Sequence, residues 1–98
     1  PLLSRTLSVY LAEGDMAGPL KQLQDLYDDV DMGSYPFYRA RKFGCSIVLR
    51  SRDQDRLEAA RGELALIMQD LGGEPMEDEA VEDEAIQSTS EPAAEPST

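Results

Sequence analysis

The chain is predicted to fold as a two-layer α+β sandwich with element order β-α-β-β-α, followed by an acidic tail. Three observations carry that expectation. Residues 3–12 alternate with period two, residues 35–53 read as a hairpin around a basic turn, and two segments repeat apolar residues at three- and four-residue spacing.

Along residues 3–12, Leu3, Leu7, Val9 and Leu11 fall on one side, and Ser4, Thr6, Ser8, Tyr10 and Ala12 on the other, as in a strand with one apolar face. Arg5 interrupts the apolar side, so the strand proper is expected from Thr6. Glu13-Gly14-Asp15 reads as the turn that ends it. Gly18-Pro19 then reads as an N-cap followed by proline at the first helical position, where a missing N–H costs nothing. Leu20, Leu23, Leu26, Tyr27 and Val30 give this helix its apolar stripe. Asp28 and Asp29 oppose the helix dipole, so the last turn should fray and the helix should stop before Asp31.

Asp31 opens a second strand. It contains Pro36, which cannot donate to a ladder and therefore marks an edge. Phe37 and Tyr38 lead into a turn carrying Arg39, Arg41 and Lys42, and Phe43-Gly44 returns the chain. Residues 45–50 form the most apolar strand, with Phe43, Cys45, Ile47 and Leu49 on one face, which suits a central position. Asp53 or Asp55 can cap a second helix, and Asp55-x-x-Glu58 has the form of a capping box. Its stripe, Leu57, Ala60, Leu64, Ile67, Met68 and Leu71, ends at Gly72-Gly73. A right-handed crossover followed by an antiparallel hairpin, with the Pro36 strand outermost, gives a three-stranded sheet in order 1-3-2 with both helices on one face. That is a truncated ferredoxin-like unit, a split β-α-β lacking its last strand.

Charge divides the chain in two. All nine Lys and Arg lie between Arg5 and Arg61, whereas nine of the twenty acids lie from Glu74 onward. Residues 1–73 thus carry nine positive and eleven negative charges, net −2, and the remainder of the net −11 belongs to residues 74–98. The first segment is expected to be a small α+β subdomain. The second, acidic and without an aromatic residue, is expected to be a disordered tail, serving either solubility or as an arm for a basic patch. A core of about 70 residues yields only a few kcal/mol, and no staple is available: Cys45 is the single cysteine and histidine is absent. An intrachain disulfide, a zinc centre and a His-based triad are therefore excluded, and a module that leans on a partner is expected. No apolar stretch approaches the ~20 residues of a membrane span. The opening on Pro1 without a leader reads as a fragment of a longer soluble, cytoplasmic protein.

The positive feature is the cluster Arg39, Arg41 and Lys42 with Arg50 and Arg52 on the next strand, a candidate for phosphate or partner contact, since Arg offers a planar fork of donors. Tyr35, Phe37 and Tyr38 make the Pro36 strand a candidate interaction edge. A turn charged merely to guard that edge accounts for the same cations. Nucleic acid is disfavoured because a net charge of −11 repels a polyanion. Glu13-Gly14-Asp15-Met16-Ala17-Gly18 lacks the glycine spacing of a phosphate loop. Cys45 is expected to be a buried filler with no base to activate it. No catalytic residue and no metal site are assigned.

Met32-Gly33-Ser34-Tyr35-Pro36-Phe37 and Val48-Leu49-Arg50-Ser51-Arg52-Asp53, with Leu3-Ser4-Arg5-Thr6 and Glu13-Gly14, resemble one region of the CinA-like family, the competence/damage-inducible proteins. The resemblance covers about residues 2–72 and implies the small KH-type subdomain that follows a molybdopterin-binding-like domain. It further implies a non-catalytic structural and interaction role against that preceding domain or a second subunit, as a homo-oligomer, in a protein related to molybdenum cofactor biosynthesis. No cofactor is implied for the fragment, and molybdopterin or a nucleotide for the parent. The alternative is a ligand-contributing domain whose basic hairpin contacts a nucleotide or pterin phosphate, and KH-like RNA binding ranks last.

Overall fold

The computed structural model describes residues 1–78. Strand β1 (Leu3–Val9) leads to helix α1 (Glu13–Leu26), strands β2 (Asp31–Arg39) and β3 (Lys42–Ser51), helix α2 (Gln54–Asp70) and strand β4 (Met76–Asp78). The sheet is four-stranded and antiparallel throughout, in order β2-β3-β1-β4, so the expected three-stranded sheet is corrected. The split β-α-β unit is not truncated: β4 lies along β1 with Leu7 opposite Glu77. Its residues come from the stretch assigned to the tail, where acid content hid three residues that complete the β1 edge. The rest of that proposed tail, residues 79–98, lies outside the described residues.

Both helices pack on one face. Leu7 and Val9 of β1 and Cys45, Ile47 and Leu49 of β3 meet Met16 and Leu23 of α1 and Leu57, Ala60, Leu64 and Met68 of α2, all at most 2% exposed. Each large aliphatic side chain removed from water in this way contributes about 1.5–3 kcal/mol. Arg5 stands on this apolar side because α2 supplies its partner, Glu58 Oε2, 2.8 Å from the guanidinium Nε.

Helix α1 begins at Glu13, five residues before the expected Gly18 N-cap, and Pro19 lies inside it. Met16, Leu20 and Leu23 share the i, i+4, i+7 face, and burying Met16 requires a helical turn ahead of the proline. Glu13 and Asp15 then occupy the first turn, where the dipole favours acids, offsetting the hydrogen bond that Pro19 cannot make. The helix ends at Leu26, before Asp31 as expected. Its last carbonyl, Leu26 O, accepts from Arg56 of α2 at 3.3 Å, and Gln24 braces the loop that follows by donating to the Tyr27 and Val30 oxygens.

Helix α2 is capped by Asp53, whose carboxylate accepts from Arg56 N at 3.1 Å; Glu58 goes to ion pairs rather than closing a capping box. It stops in a Schellman motif. Gly72, at φ +90°, donates to Gln69 O, and Gly73 donates to Met68 O.

Candidate functional site: the hairpin end

Strands β2 and β3 outrun the rest of the sheet. The β1–β3 ladder ends at Val9 opposite Cys45, while β2 and β3 continue through Phe37–Gly44, Tyr38–Phe43 and Arg39–Lys42, an overhang of about 10 Å at roughly 3.4 Å per pair. Two residues, Ala40 and Arg41, close it, both left-handed at φ 54° and 65°. This is the conformation that a tight two-residue hairpin demands and that Asn-Gly would adopt without strain.

The two faces of the overhang differ. On the face away from the helices, the Phe37 ring covers Gly44. A Cβ at Gly44 would lie 2.4 Å from Phe37 Cζ and 2.7 Å from Val9 O, so only glycine admits the ring this close. Tyr10 meets Phe37 edge-on with centroids 5.5 Å apart. Arg39 stacks over Phe37 at 3.9 Å and Lys42 over Tyr10 at 5.3 Å. On the other face Tyr38 and Phe43 contact each other at 4.8 Å but are 59% and 70% exposed.

The five cations singled out in the sequence do not converge. Arg39, Arg41 and Lys42 share the hairpin end. Arg50 lies eight residues further along β3, opposite Asp31 and Ser4, about 26 Å away at ~3.3 Å per residue, with Arg52 beyond it. Among the candidate edge residues, Tyr35 and Phe37 share the helix-free face and Tyr38 is on the opposite one. Phe43, expected in the core beside Cys45, stands exposed because no helix reaches the overhang. Tyr10 was missed as a site residue; the glycine within the strongest strand was the available sign that an aromatic ring covers it.

Among the described residues, four of the other cations are matched to acids, and Arg52 is not. Arg5 and Arg61 hold Glu58, Lys21 pairs with Asp25, Arg61 approaches Glu77, and Arg56 grips Asp29 while lying 4.5 Å from the Tyr27 ring centroid. The Arg56 hydrogen bonds hold the Asp29 carboxyl below its ordinary range, and Asp29 in turn raises the guanidinium. Glu58 is held low by its hydrogen bond from Arg61 and by the charge of Arg5. Among the described residues, by contrast, no carboxylate pairs with Arg39, Arg41 or Lys42.

Cys45 is fully buried, and burial, reinforced by the charge of Glu13, pushes its thiol up. Among the described residues, clefts include the following two. One of about 440 Å³ lies between α1 and β2, lined by Met16, Ala17, Leu20 and Met32 with Glu13 and Lys21 at its rim. The other, of about 510 Å³, lies at the root of the hairpin between Tyr10, Lys42 and the Gly72-Gly73 turn. Among the described residues no group of three potential metal ligands is found, and no helix is long and apolar enough to cross a membrane.

Fold and surface together define a four-stranded ferredoxin-like domain with a braced helical layer and an aromatic, cationic hairpin end. The family model of the FAD synthase middle domain matches residues 1–71, and the chain belongs to that family. No curated protein and no solved structure matches the chain. The CinA-like resemblance is therefore corrected, and with it the competence/damage-inducible, KH-type and molybdenum-cofactor functions it implied. Its two telling pieces lie where the fold itself dictates residues. Gly33-Ser34-Tyr35-Pro36 sits on the edge strand. Leu49-Arg50-Ser51-Arg52-Asp53 runs into the α2 cap, where Ser51 Oγ accepts from Asp53 N and Asp53 accepts from Arg56 N. Short motifs at such places report local geometry more than ancestry. A middle domain of an FAD synthase is part of an enzyme.

Proposed function

We propose that this chain is a non-catalytic domain of an FAD synthase, holding other parts of that enzyme in place rather than supplying reacting groups. One observation carries this reading. Perturbed ionisable groups mark sites of chemistry when they face a cleft, and the four perturbed groups here do not. Asp29, Arg56 and Glu58 are spent on ion pairs that tie the α1–β2 loop and β1 to α2, Cys45 is sealed in the core, and none of them lines either of the clefts described above.

The test is FAD formation. The 98-residue chain alone should form none. The full-length enzyme carrying Cys45→Ala, checked for an unchanged melting profile, should keep its FAD-forming rate within about twofold, a barrier change near 0.4 kcal/mol. FAD formation by the isolated chain, or a loss of tenfold or more in a folded Cys45→Ala enzyme, would overturn the proposal.

A further inference from the structure

We infer that the hairpin end is the docking surface for a neighbouring domain of the same FAD synthase, and that the docked surface is apolar at its centre and carboxylate-rich at its rim. The inference rests on the non-catalytic reading above and adds the surface and the chemistry of the partner.

Three features meet at this end and nowhere else among the described residues. Among the described residues Arg39, Arg41 and Lys42 have no carboxylate partner, a lack they share only with the single Arg52, although Arg5, Lys21, Arg56 and Arg61 all have one and acids outnumber bases twenty to nine. In so acidic a chain, three uncompensated cations within four residues call for negative charge from outside. Tyr38 and Phe43 are the two most exposed aromatic rings, and they sit between those cations rather than over the core. Large rings left in water beside Arg are the composition that interface centres favour. The overhang of about 10 Å carries Tyr38 and Phe43 beyond the helices, so a folded surface can approach that face, while on the other face Lys42 reaches back over Tyr10 into the cleft that Glu74 and Met76 also line.

Charge and ring together select the occupant. Nucleic acid is opposed by the net charge. Residues 79–98 offer six acids and no base, which suits the cations, but Val81 and Ile86 are their only branched aliphatic residues, and they contain no aromatic to cover Tyr38 and Phe43. The chain also enters them from β4, which runs from Met76 opposite Ser8 to Asp78 opposite Thr6, away from the hairpin. A second copy would bring another net −11. A domain that precedes or follows a middle domain is held nearby by covalent connection, so a modest patch suffices at the high effective concentration of a tethered partner.

The test places a photo-crosslinking amino acid at position 41 of the full-length enzyme and maps the adducts by mass spectrometry. Adducts to a domain of the same polypeptide outside residues 1–98 are expected. Adding Arg39→Glu and Lys42→Glu should cut their yield by about tenfold, as should raising salt to about 1 M, where the screening length falls to ~3 Å. Tyr38→Ser with Phe43→Ser, which remove exposed rings and leave the core intact, should do the same. Adducts confined to residues 79–98, adducts between two copies, or no adducts with a correctly folded enzyme would each overturn the inference. FAD formation is not the readout, so a catalytic role for the chain would surface in the assay above and leave this result unaffected.

Discussion

Gly44→Ala is the perturbation whose cost follows most directly from the structure. The added Cβ would stand 2.4 and 2.5 Å from two Phe37 ring carbons and 2.7 Å from the Val9 carbonyl oxygen, where unstrained contacts lie near 3.5–4 Å. The ring can swing away, but it then gives up the edge contact with Tyr10 and the stacking of Arg39, together about 1–2 kcal/mol. The Val9 oxygen cannot move as easily, because it belongs to an internal strand, and overpacking of this kind costs about 1–3 kcal/mol. Replacing glycine in a strand returns roughly 0.5–1 kcal/mol through the unfolded state. The net expectation is a loss of about 2 kcal/mol, read as a fall in Tm of roughly 8–16 °C by circular dichroism for a domain of this size. In a Phe37→Ala background the same substitution should cost about 1 kcal/mol less, since only the backbone clash remains. A Gly44→Ala variant within about 0.5 kcal/mol of the parent, or strict additivity with Phe37→Ala, would refute the packing described here.

Three further outcomes follow from the same structure. Ala40→Asn with Arg41→Gly relieves two left-handed non-glycine residues and should stabilise the chain by about 1–2 kcal/mol in denaturant titrations; an unchanged midpoint would show the turn to be unstrained. Glu58 has its carboxyl depressed below the usual 4.5, so its contribution is complete above that value and is lost as pH falls through the lower folded value. The stability gap between the parent and Glu58→Gln should therefore close on acidification below about pH 4.5, and a gap constant from about pH 7 to 3 would contradict the pairing with Arg61 and Arg5. Cys45 should react with iodoacetamide at least ~100-fold more slowly in the native chain than in denaturant, because burial both raises the thiol and requires opening before attack; equal rates would place it at the surface.

Much of this fold was legible from residues alone. Period two in residues 3–9, the apolar run at residues 45–50, the stripe of α2 and its Gly72-Gly73 stop all have local causes, and Pro36 marked β2 as an edge, whereas residues 10–12 lie outside β1 and Glu13-Gly14-Asp15 is helical rather than a turn. The failures share a different cause. Gly18-Pro19 has every local attribute of a helix start, yet burial of Met16 moves the start to Glu13, and no local signal reports a tertiary contact. Strand β4 is three residues whose only reason to be extended is the open edge of β1, and it sits in an acid-rich stretch. The hairpin end was found as a charge cluster, but β3 carries Arg50 and Arg52 to its far end, and the overhang that exposes Phe43 depends on where β1 stops. Family membership could not be read from five-residue motifs that the cap and the edge strand would impose on many sequences.

The measurement that bears most directly on the central claim is amide hydrogen exchange at residues 37–44, compared between the 98-residue chain and the full-length FAD synthase. If the hairpin end docks a neighbouring domain, its overhanging amides should exchange about tenfold or more slowly in the full-length enzyme, equivalent to ~1.4 kcal/mol of added protection, while those of Leu57, Leu64 and Met68 in α2 stay unchanged. Identical rates at the hairpin in both proteins would contradict the claim.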